Sequence, residues 1–420
     1  MANSELLTVA EALAIVLSRV APLDEERVPL LDALGRVLAA PVVAADSLPP
    51  FANSSMDGYA VRADDIVSAG PQSAVLLRVV ADIAAGRPSD VALTPGTAAR
   101  IMTGAPLPDG ADAVVPVEDT DEPWRDRDRP LPERVAIRRA VGHGDYVRYP
   151  GEDIRAGQTV LTAGHVIRPQ EIGVLASLGV ERVTVVRRPR VGVLATGDEL
   201  IDVGAPLMPG KIRNSNGYAQ AAQVRALGGE ALALGVAGDR EDDVRARLDA
   251  GVAAGVDLLV SSAGVSVGAY DVVKAVLDQA GGVVFWRVRM RPGKPLAFGA
   301  YRGVPFLGLP GNPVSAMVSF ERFARPAILK MAGRRELERP NVSAIVLEDL
   351  HSDGRESYLR AVVSRDERGY VATTTGSQGS HIMTSLVQAN ALLIVPEGVT
   401  AVAAGTTLRA LMIDWPSDVF

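Results

Sequence analysis

From Arg190 to Lys330 the chain alternates strand-length apolar runs with helical stretches, and this alternation restricts the possible folds more than any other feature. The runs at 191–196 (VGVLAT), 231–236 (ALALGV) and 257–262 (DLLVSS) are short and apolar at most positions, as strands covered on both faces of a sheet must be. Helical patterns cover about 219–227 and 242–253, begin again near Asp271, and begin once more at Asn312-Pro313. Alternating units of this kind predict a mostly parallel sheet with helices on both faces. Ligands of such sheets bind beyond the carboxyl ends of the strands. The residues after those ends are unusual here: Thr196-Gly197-Asp198-Glu199, Ala237-Gly238-Asp239, the glycine loop 263–271, and Pro310-Gly311-Asn312-Pro313. They are expected to line one cleft.

The chemistry at that edge pairs cations with carboxylates. In the glycine loop, Gly264 and Gly268 flank Ser266 and permit close backbone approach, and amide hydrogens at the helix start favour an anion. A plain βα turn is the simpler alternative for this loop taken alone. Asn312 suits a helix cap and Pro313 a first helical residue, so LPGNP alone also reads as structural. Between the two lies RVRMRPGKP (287–295), where strand alternation places Arg287, Arg289 and Arg291 on one face and Lys294 in a turn beyond. Four cations in a chain of net charge −7 mark an anion site. A charged edge strand is the competing reading; the return of the segment to the cleft edge favours the anion. Asp198, Glu199, Asp239 and Asp271 beside these cations point to a divalent ion, magnesium before others. No nucleotide-binding P-loop, hydrolase elbow or Rossmann fingerprint occurs.

The flanking regions have other textures. Thr8 and Glu11 form a capping-box pattern before a helix with Leu13, Val16, Leu17 and Val20 on one stripe. The loop 48–59, LPPFANSSMDGY, carries Phe51, Met56 and Tyr59 and is expected to contact a partner or ligand. Short β-like runs fill 61–141, and a helix begins at Pro169, with Ile172, Leu175 and Ala176 inward and Gly179 closing it. After Gly333, strand-length runs predict a small β sandwich or barrel. The expected domains are 1–48 with 142–188, an inserted β-rich region 49–141, an α/β domain 189–333, and a β domain 334–420. With no cysteine and four scattered histidines, thiolate chemistry is excluded and a histidine-built metal centre is disfavoured. The acidic balance argues against nucleic acid or an anionic membrane as partner. No run is long enough to span a bilayer and the N-terminus lacks a secretory pattern, so a cytoplasmic location is expected.

The segments PPFANSSMDGYAVR, RIMTGAPLPDGADAVVPVED, RYPGEDIRAG, EIGVLASLG, VGVLATGDEL, SSAGVSVGAYD, MRPGKPLAFG and GLPGNPVSAM resemble, in order, the signature blocks of the MoeA family, which includes the gephyrin E domain. GSQGSHIMTSL near the C-terminus continues the series. The resemblance implies a multidomain α/β plus β fold: an elongated, four-subdomain chain with a MogA-like α/β pterin-binding domain and a C-terminal β-barrel. It implies a homodimer whose active site lies at the subunit interface. It also implies a molybdopterin molybdenumtransferase of molybdenum cofactor biosynthesis, taking molybdate and adenylylated molybdopterin as substrates with Mg2+ and releasing AMP. Functional positions carried over from the family fall on Asp57, Thr103, Asp153, Glu199, Asp239 and Asp271, the last three holding metal. Those facing the substrate are Gly264, Ser266, Gly268, Arg287, Arg291, Lys294, Pro310, Gly311, Asn312 and Pro313. A MogA-type adenylyltransferase and molybdoenzyme-maturation proteins are implied partners. A MogA-like adenylyltransferase activity and a non-catalytic dimeric scaffold are the alternative readings. Arg287 and Arg291 stand where some relatives are expected to carry lysine, and Ala263 where glycine is usual.

Overall fold

The structure, a computed structural model, describes residues 6–88, 90–122, 130–262, 269–280 and 282–415. The chain divides into two compact units. One comprises Met1–Ala39, Gly164–Arg168 and Val183–Phe420; the other comprises Ala40–Ala163 and Pro169–Arg182.

In the larger unit, helix α1 (Val9–Ser18) starts as the sequence indicates. The Thr8 hydroxyl accepts from the Glu11 amide at 3.1 Å, and the Glu11 carboxylate accepts from the Thr8 amide at 2.8 Å. Those reciprocal bonds satisfy two donors that a helix start otherwise leaves unpaired. They also hold the Glu11 carboxyl below the usual carboxylate range, the Thr8 amide contributing most.

The smaller unit contains helix α2 (Pro169–Ser177) and a five-stranded sheet. Its strands are β1 (Gly58–Val61), β2 (Val75–Ile83), β3 (Thr97–Ile101), β4 (Ala113–Pro116) and β5 (Arg134–Ile137), in the order β4-β1-β3-β2-β5. Tyr59, Val61, Leu77, Val115 and Ile137 pack one face, and Ala60, Ile83, Ala99, Ile101 and Val114 the other. Burial on both faces explains why these strands do not alternate cleanly in sequence. Two expectations fail here. Tyr59 is a fully buried core residue, not a loop contact, because β1 begins at Gly58 and draws it into the sheet. On α2, Leu175 is buried but Ala176 is exposed, and the inner face includes Glu171 instead.

The larger unit is built on a six-stranded sheet of β6 (Arg190–Thr196), β7 (Glu230–Ala237), β8 (Leu258–Ser262), β9 (Val283–Arg287), β10 (Pro295–Tyr301) and β11 (Val304–Leu309). The order is β7-β6-β8-β11-β10-β9. β7, β6, β8 and β11 are parallel, while β10 is antiparallel to both β11 and β9. Helices α3 (Ser215–Ala226), α4 (Glu241–Ala253) and α5 (Ala269–Ala280) connect the strands. α6 (Pro313–Ser319) runs through one π turn, Phe320–Ala324, into α7 (Arg325–Met331), and nearly all of this length is buried. Val9 and Val16 of α1, Val191 and Val260 of the sheet, Phe320 and Phe323, and Tyr358 and Leu411 beyond it share one core.

The C-terminal strands β12 (Asn341–Val346), β13 (Glu356–Asp366), β14 (Gly369–Thr374), β15 (Ala391–Val395) and β16 (Thr407–Met412) pair in the order β13-β14-β12-β16-β15. The β13–β15 pairing then closes the ring. Of the sandwich and barrel alternatives, the closed barrel is the one formed, and closure leaves no unpaired edge among these strands.

Among the described glycines of the smaller unit, Gly58 leaves the least room for a side chain. A Cβ there would stand 2.0 Å from the Val115 carbonyl oxygen, on backbone that the β1–β4 pairing holds fixed. Gly58→Ala should therefore destabilise this unit by about 2–3 kcal/mol or more, read as a lower midpoint in urea unfolding.

Candidate functional site

Parallel pairing decides where the chemistry-bearing turns go. β6, β7, β8 and β11 run the same way, so their carboxyl ends share one edge. β9 also ends at that edge, where Arg287 pairs with Pro295, and Lys294 immediately precedes β10 there. Reading along the edge, the described turns are Asp239, then Asp198-Glu199, Pro310–Pro313, Lys294 and Arg287. At about 4.8 Å per strand, the five steps from β7 to β9 span about 24 Å. Carboxylates occupy one end and cations the other.

The acidic turns are stitched together. The Gly197 amide donates to the Ala237 carbonyl at 3.0 Å, and the Asp239 amide donates to Asp198 Oδ1 at 3.0 Å. Lys211 Nζ donates to the Asp198 carbonyl, and the Ile212 amide to the Glu199 carbonyl at 2.8 Å. Gly197 has φ +139°, and a Cβ on it would meet the Glu199 carboxylate at 2.4 Å. Glycine is therefore required for the Glu199 side chain to stand where it does. Thr196 and Ser262, the last residues of β6 and β8, have buried hydroxyls bonded to no other described group, so uncommitted polar atoms lie directly beneath the edge.

The start of α3 ties a third turn to these two. Asn214 caps the helix by accepting from the Gly217 amide at 2.9 Å, and Asn216 Nδ2 donates to the Gly311 carbonyl at 2.7 Å. Pro310, Gly311, Asn312 and Pro313 thus sit beside the acidic turns, with Pro313 opening α6 as expected and the Asn312 side chain making no cap bond. The Val314 amide donates to the Ser380 carbonyl at 3.1 Å, bringing the C-terminal GSQGS segment to the same helix start. α5 starts at Ala269, two residues before the expected Asp271, which therefore falls in its first turn. Gly264, Ser266 and Gly268 lie outside the described residues.

The cationic run divides. Val288 and Met290 are buried and Arg287, Arg289 and Arg291 point outward, as alternation requires. They do not form one patch, however, because β9 ends at Arg287 and Met290–Arg291 pairs with β13 of the barrel. Arg289 meets Glu397 at 3.0 Å and Arg291 meets Asp353 at 3.7 Å. Arg291 also lines a 280 Å³ cavity with Arg360, a residue the sequence reading passed over. Arg360 is 1 % exposed and donates from Nε to Ser385 Oγ at 3.1 Å and from Nη2 to the Gly379 carbonyl at 3.2 Å. Burial, and then the charge of Arg291, push its guanidinium down to about 10, so it stays cationic at neutral pH. Along β13 it falls on the face opposite Leu359, Ala361 and Val363, which reads as solvent in sequence. Only the packing of 378–385 over that face reveals it.

In the smaller unit, Asp57 Oδ1 accepts from the Thr103 amide at 2.7 Å and from its hydroxyl at 2.9 Å, so these two are held together. Asp153 is not with them. Its amide donates to the Leu48 carbonyl at 3.0 Å, at the far end of a ribbon in which 48–54 runs antiparallel to 147–154.

Three family profiles match the chain: the MoeA N-terminal region (domain I and II) at 7–179, the probable molybdopterin binding domain at 192–330, and the MoeA C-terminal region (domain IV) at 343–412. The chain belongs to the MoeA family. It is 45 % identical over 389 residues to molybdopterin molybdenumtransferase 2 of Mycobacterium tuberculosis H37Rv, covering 91 % of this chain and 93 % of that one. Against the molybdopterin molybdenumtransferase of Nostoc sp. PCC 7120 the identity is 38 % over 397 residues, covering 93 % and 89 %. The crystal structure of the molybdopterin biosynthesis MoeA protein from Pyrococcus horikoshii OT3 superposes with a TM-score of 0.80 at 30 % identity, covering 97 % of this chain and all of that one. The α/β domain thus corresponds to the family's probable molybdopterin binding domain, and the barrel to domain IV. No helix among the described residues is long and apolar enough to cross a membrane.

No three histidines, aspartates or glutamates among the described residues converge on one point. The side-chain donors of the acidic turns, Asp198, Glu199 and Asp239, are all carboxylates. That combination fits magnesium, which takes one or two carboxylates and completes its shell with water and ligand phosphate. Because a methyl group at 197 displaces the Glu199 carboxylate, Gly197→Ala should reduce molybdenum transfer at least tenfold. The melting temperature should fall by only a few degrees in a thermal scan of the same preparation.

Proposed function

We propose that this chain is a molybdopterin molybdenumtransferase, acting on adenylylated molybdopterin and molybdate and releasing AMP. The observation that supports this most is the single sheet edge, on which Asp198, Glu199 and Asp239 stand at one end and Lys294 and Arg287 at the other. An edge of about 24 Å suits a long ligand with a phosphate bridge between two ring systems better than a small metabolite. The relatives named molybdopterin molybdenumtransferase run from 33 to 45 % identity over nearly the whole chain, which argues against a lone adenylyltransferase domain.

In this mechanism Arg287 and Lys294 neutralise the anionic groups, molybdate included, and the LPGNP turn clipped by Asn216 supports the pterin side. Water attacks the phosphorus of the adenylyl phosphoanhydride, the bridging P–O bond breaks, and AMP leaves. The two dithiolene sulfurs then bond to the molybdenum of molybdate, and one of its oxide ligands leaves as water with the two thiol protons. Glu199, with Asp239 and Asp271, orients the attacking water and accepts its proton. One or two of these carboxylates would also hold Mg2+, which when bound would supply positive charge to offset that of the phosphate. Asp57 and Thr103, which are held together, close the site from a second copy of the chain, which makes the homodimer the active unit.

Two experiments test this. Purified chain mixed with adenylylated molybdopterin, molybdate and magnesium should release AMP and transfer molybdenum, and Glu199→Gln should lower AMP release by about 100-fold or more, as loss of an essential acid–base group does. Unchanged turnover in Glu199→Gln removes the role given to that residue. For the shared site, Asp57→Asn and Glu199→Gln should each be inactive alone, and a co-refolded mixture should regain turnover. A mixture that stays inactive refutes completion of the site by a second copy.

A further inference from the structure

A large cleft in the larger unit lies at the opposite edge of the sheet from the site above, about 20 Å away along the seven residues of β6. It encloses about 1080 Å³ between the segment before β6, the C-terminal end of α3, residues 34–37, and the chain from α7 to Asn341. Eight arginines and two glutamates line it, and no aromatic residue does. In a chain of net charge −7 this is a concentrated cationic surface.

Several of these arginines are structural. Arg36 pairs with Glu26 and donates to the Val186 carbonyl at 2.8 Å, and Arg187 grips Asp257 with two bonds. Arg325 and Arg339 share Glu321 at 3.3 and 2.7 Å. Those three carboxylates and the two lining glutamates still leave positive charge in excess. Arg334 is the clearest case. It is half-buried, its guanidinium donates to the Gly35 carbonyl at 2.7 Å and pairs with no carboxylate among the described residues, and burial lowers its pKa. Arg188 and Arg225 are exposed on the lining and make no ion pair with any described residue. Arg36 keeps a buried Nε with no hydrogen-bond partner among the described residues.

The geometry points to a second ligand site here, for a multivalent phosphate anion bound through its oxygens and not through a stacked base. Guanidinium forks match phosphate oxygens in pairs, and partial burial strengthens such bonds. The absence of any lining aromatic removes the platform on which a nucleobase would stack. A free polyphosphate and the phosphate tail of a nucleotide share this chemistry and are told apart by whether adenosine adds affinity.

The test uses the full chain carrying Lys294→Gln, which weakens anion binding at the other edge, in divalent-free buffer of fixed ionic strength. Titration calorimetry with sodium tripolyphosphate should show saturable binding. Adding Arg188→Gln and Arg225→Gln, both at exposed side chains that bond to no other described residue, should weaken it at least tenfold with an unchanged melting temperature. Arg334→Gln should weaken it further, and ATP should bind no more tightly than tripolyphosphate. Absence of binding in the Lys294→Gln background overturns the proposal, as does equal affinity after the Arg188 and Arg225 changes. Tenfold tighter binding of ATP overturns the base-free reading.

Discussion

The parallel hydrogen-bond ladder through β7, β6, β8 and β11 is the constraint from which the rest of the α/β domain follows. Val191 pairs with Leu258 and Ala231, and Leu259 with Phe306, so four strands are locked in direction and height. Strands locked in this way must release their following turns along one edge. Asp198, Glu199, Asp239 and the LPGNP turn are neighbours for that reason alone, although more than a hundred residues separate the first from the last. The one antiparallel return, β10, adds the cations, because a strand entering from that edge must begin with the residue that precedes it, Lys294.

The second organising element is the buried helix from Pro313 to Met331. Its Phe320 and Phe323 join the sheet to Tyr358, Leu392 and Leu411 of the barrel, so the α/β domain and the barrel share a core. Charges inside this region are tied down: Glu321 serves Arg325 and Arg339, and Arg322 lies 5.4 Å from the centre of the Tyr358 ring. Buried ion pairs of this kind are costly to break once formed. Barrel and sheet are thereby held in one arrangement, which is what allows Arg291, reaching from one, and Arg360, rooted in the other, to face a common cavity.

Much of this was legible in advance. Alternation of apolar runs and helices indicated the sheet, and the strand-end rule placed its acidic turns and the LPGNP turn along one edge. The arginine run was less legible. Its outward alternation held, but the partners did not follow from it, since a guanidinium looks the same in sequence whether it meets a phosphate or Glu397. Arg360 was invisible because the face of β13 that carries it reads as solvent until another segment covers it. Tyr59 was misread for the related reason that a loop signature ran directly into a buried strand.

By itself, the sequence determined which segments become strands and helices, which of them end in carboxylate or glycine turns, and to which family the chain belongs. Those properties are local: periodicity, caps and turn residues act over a few positions. Tertiary structure alone decided which arginines pair with internal carboxylates, and that Arg188, Arg225 and Arg334, which pair with none among the described residues, line one cleft at the sheet edge opposite Asp198 and Glu199. Charge pairing depends on distance between residues far apart in the chain, and no local pattern encodes that distance.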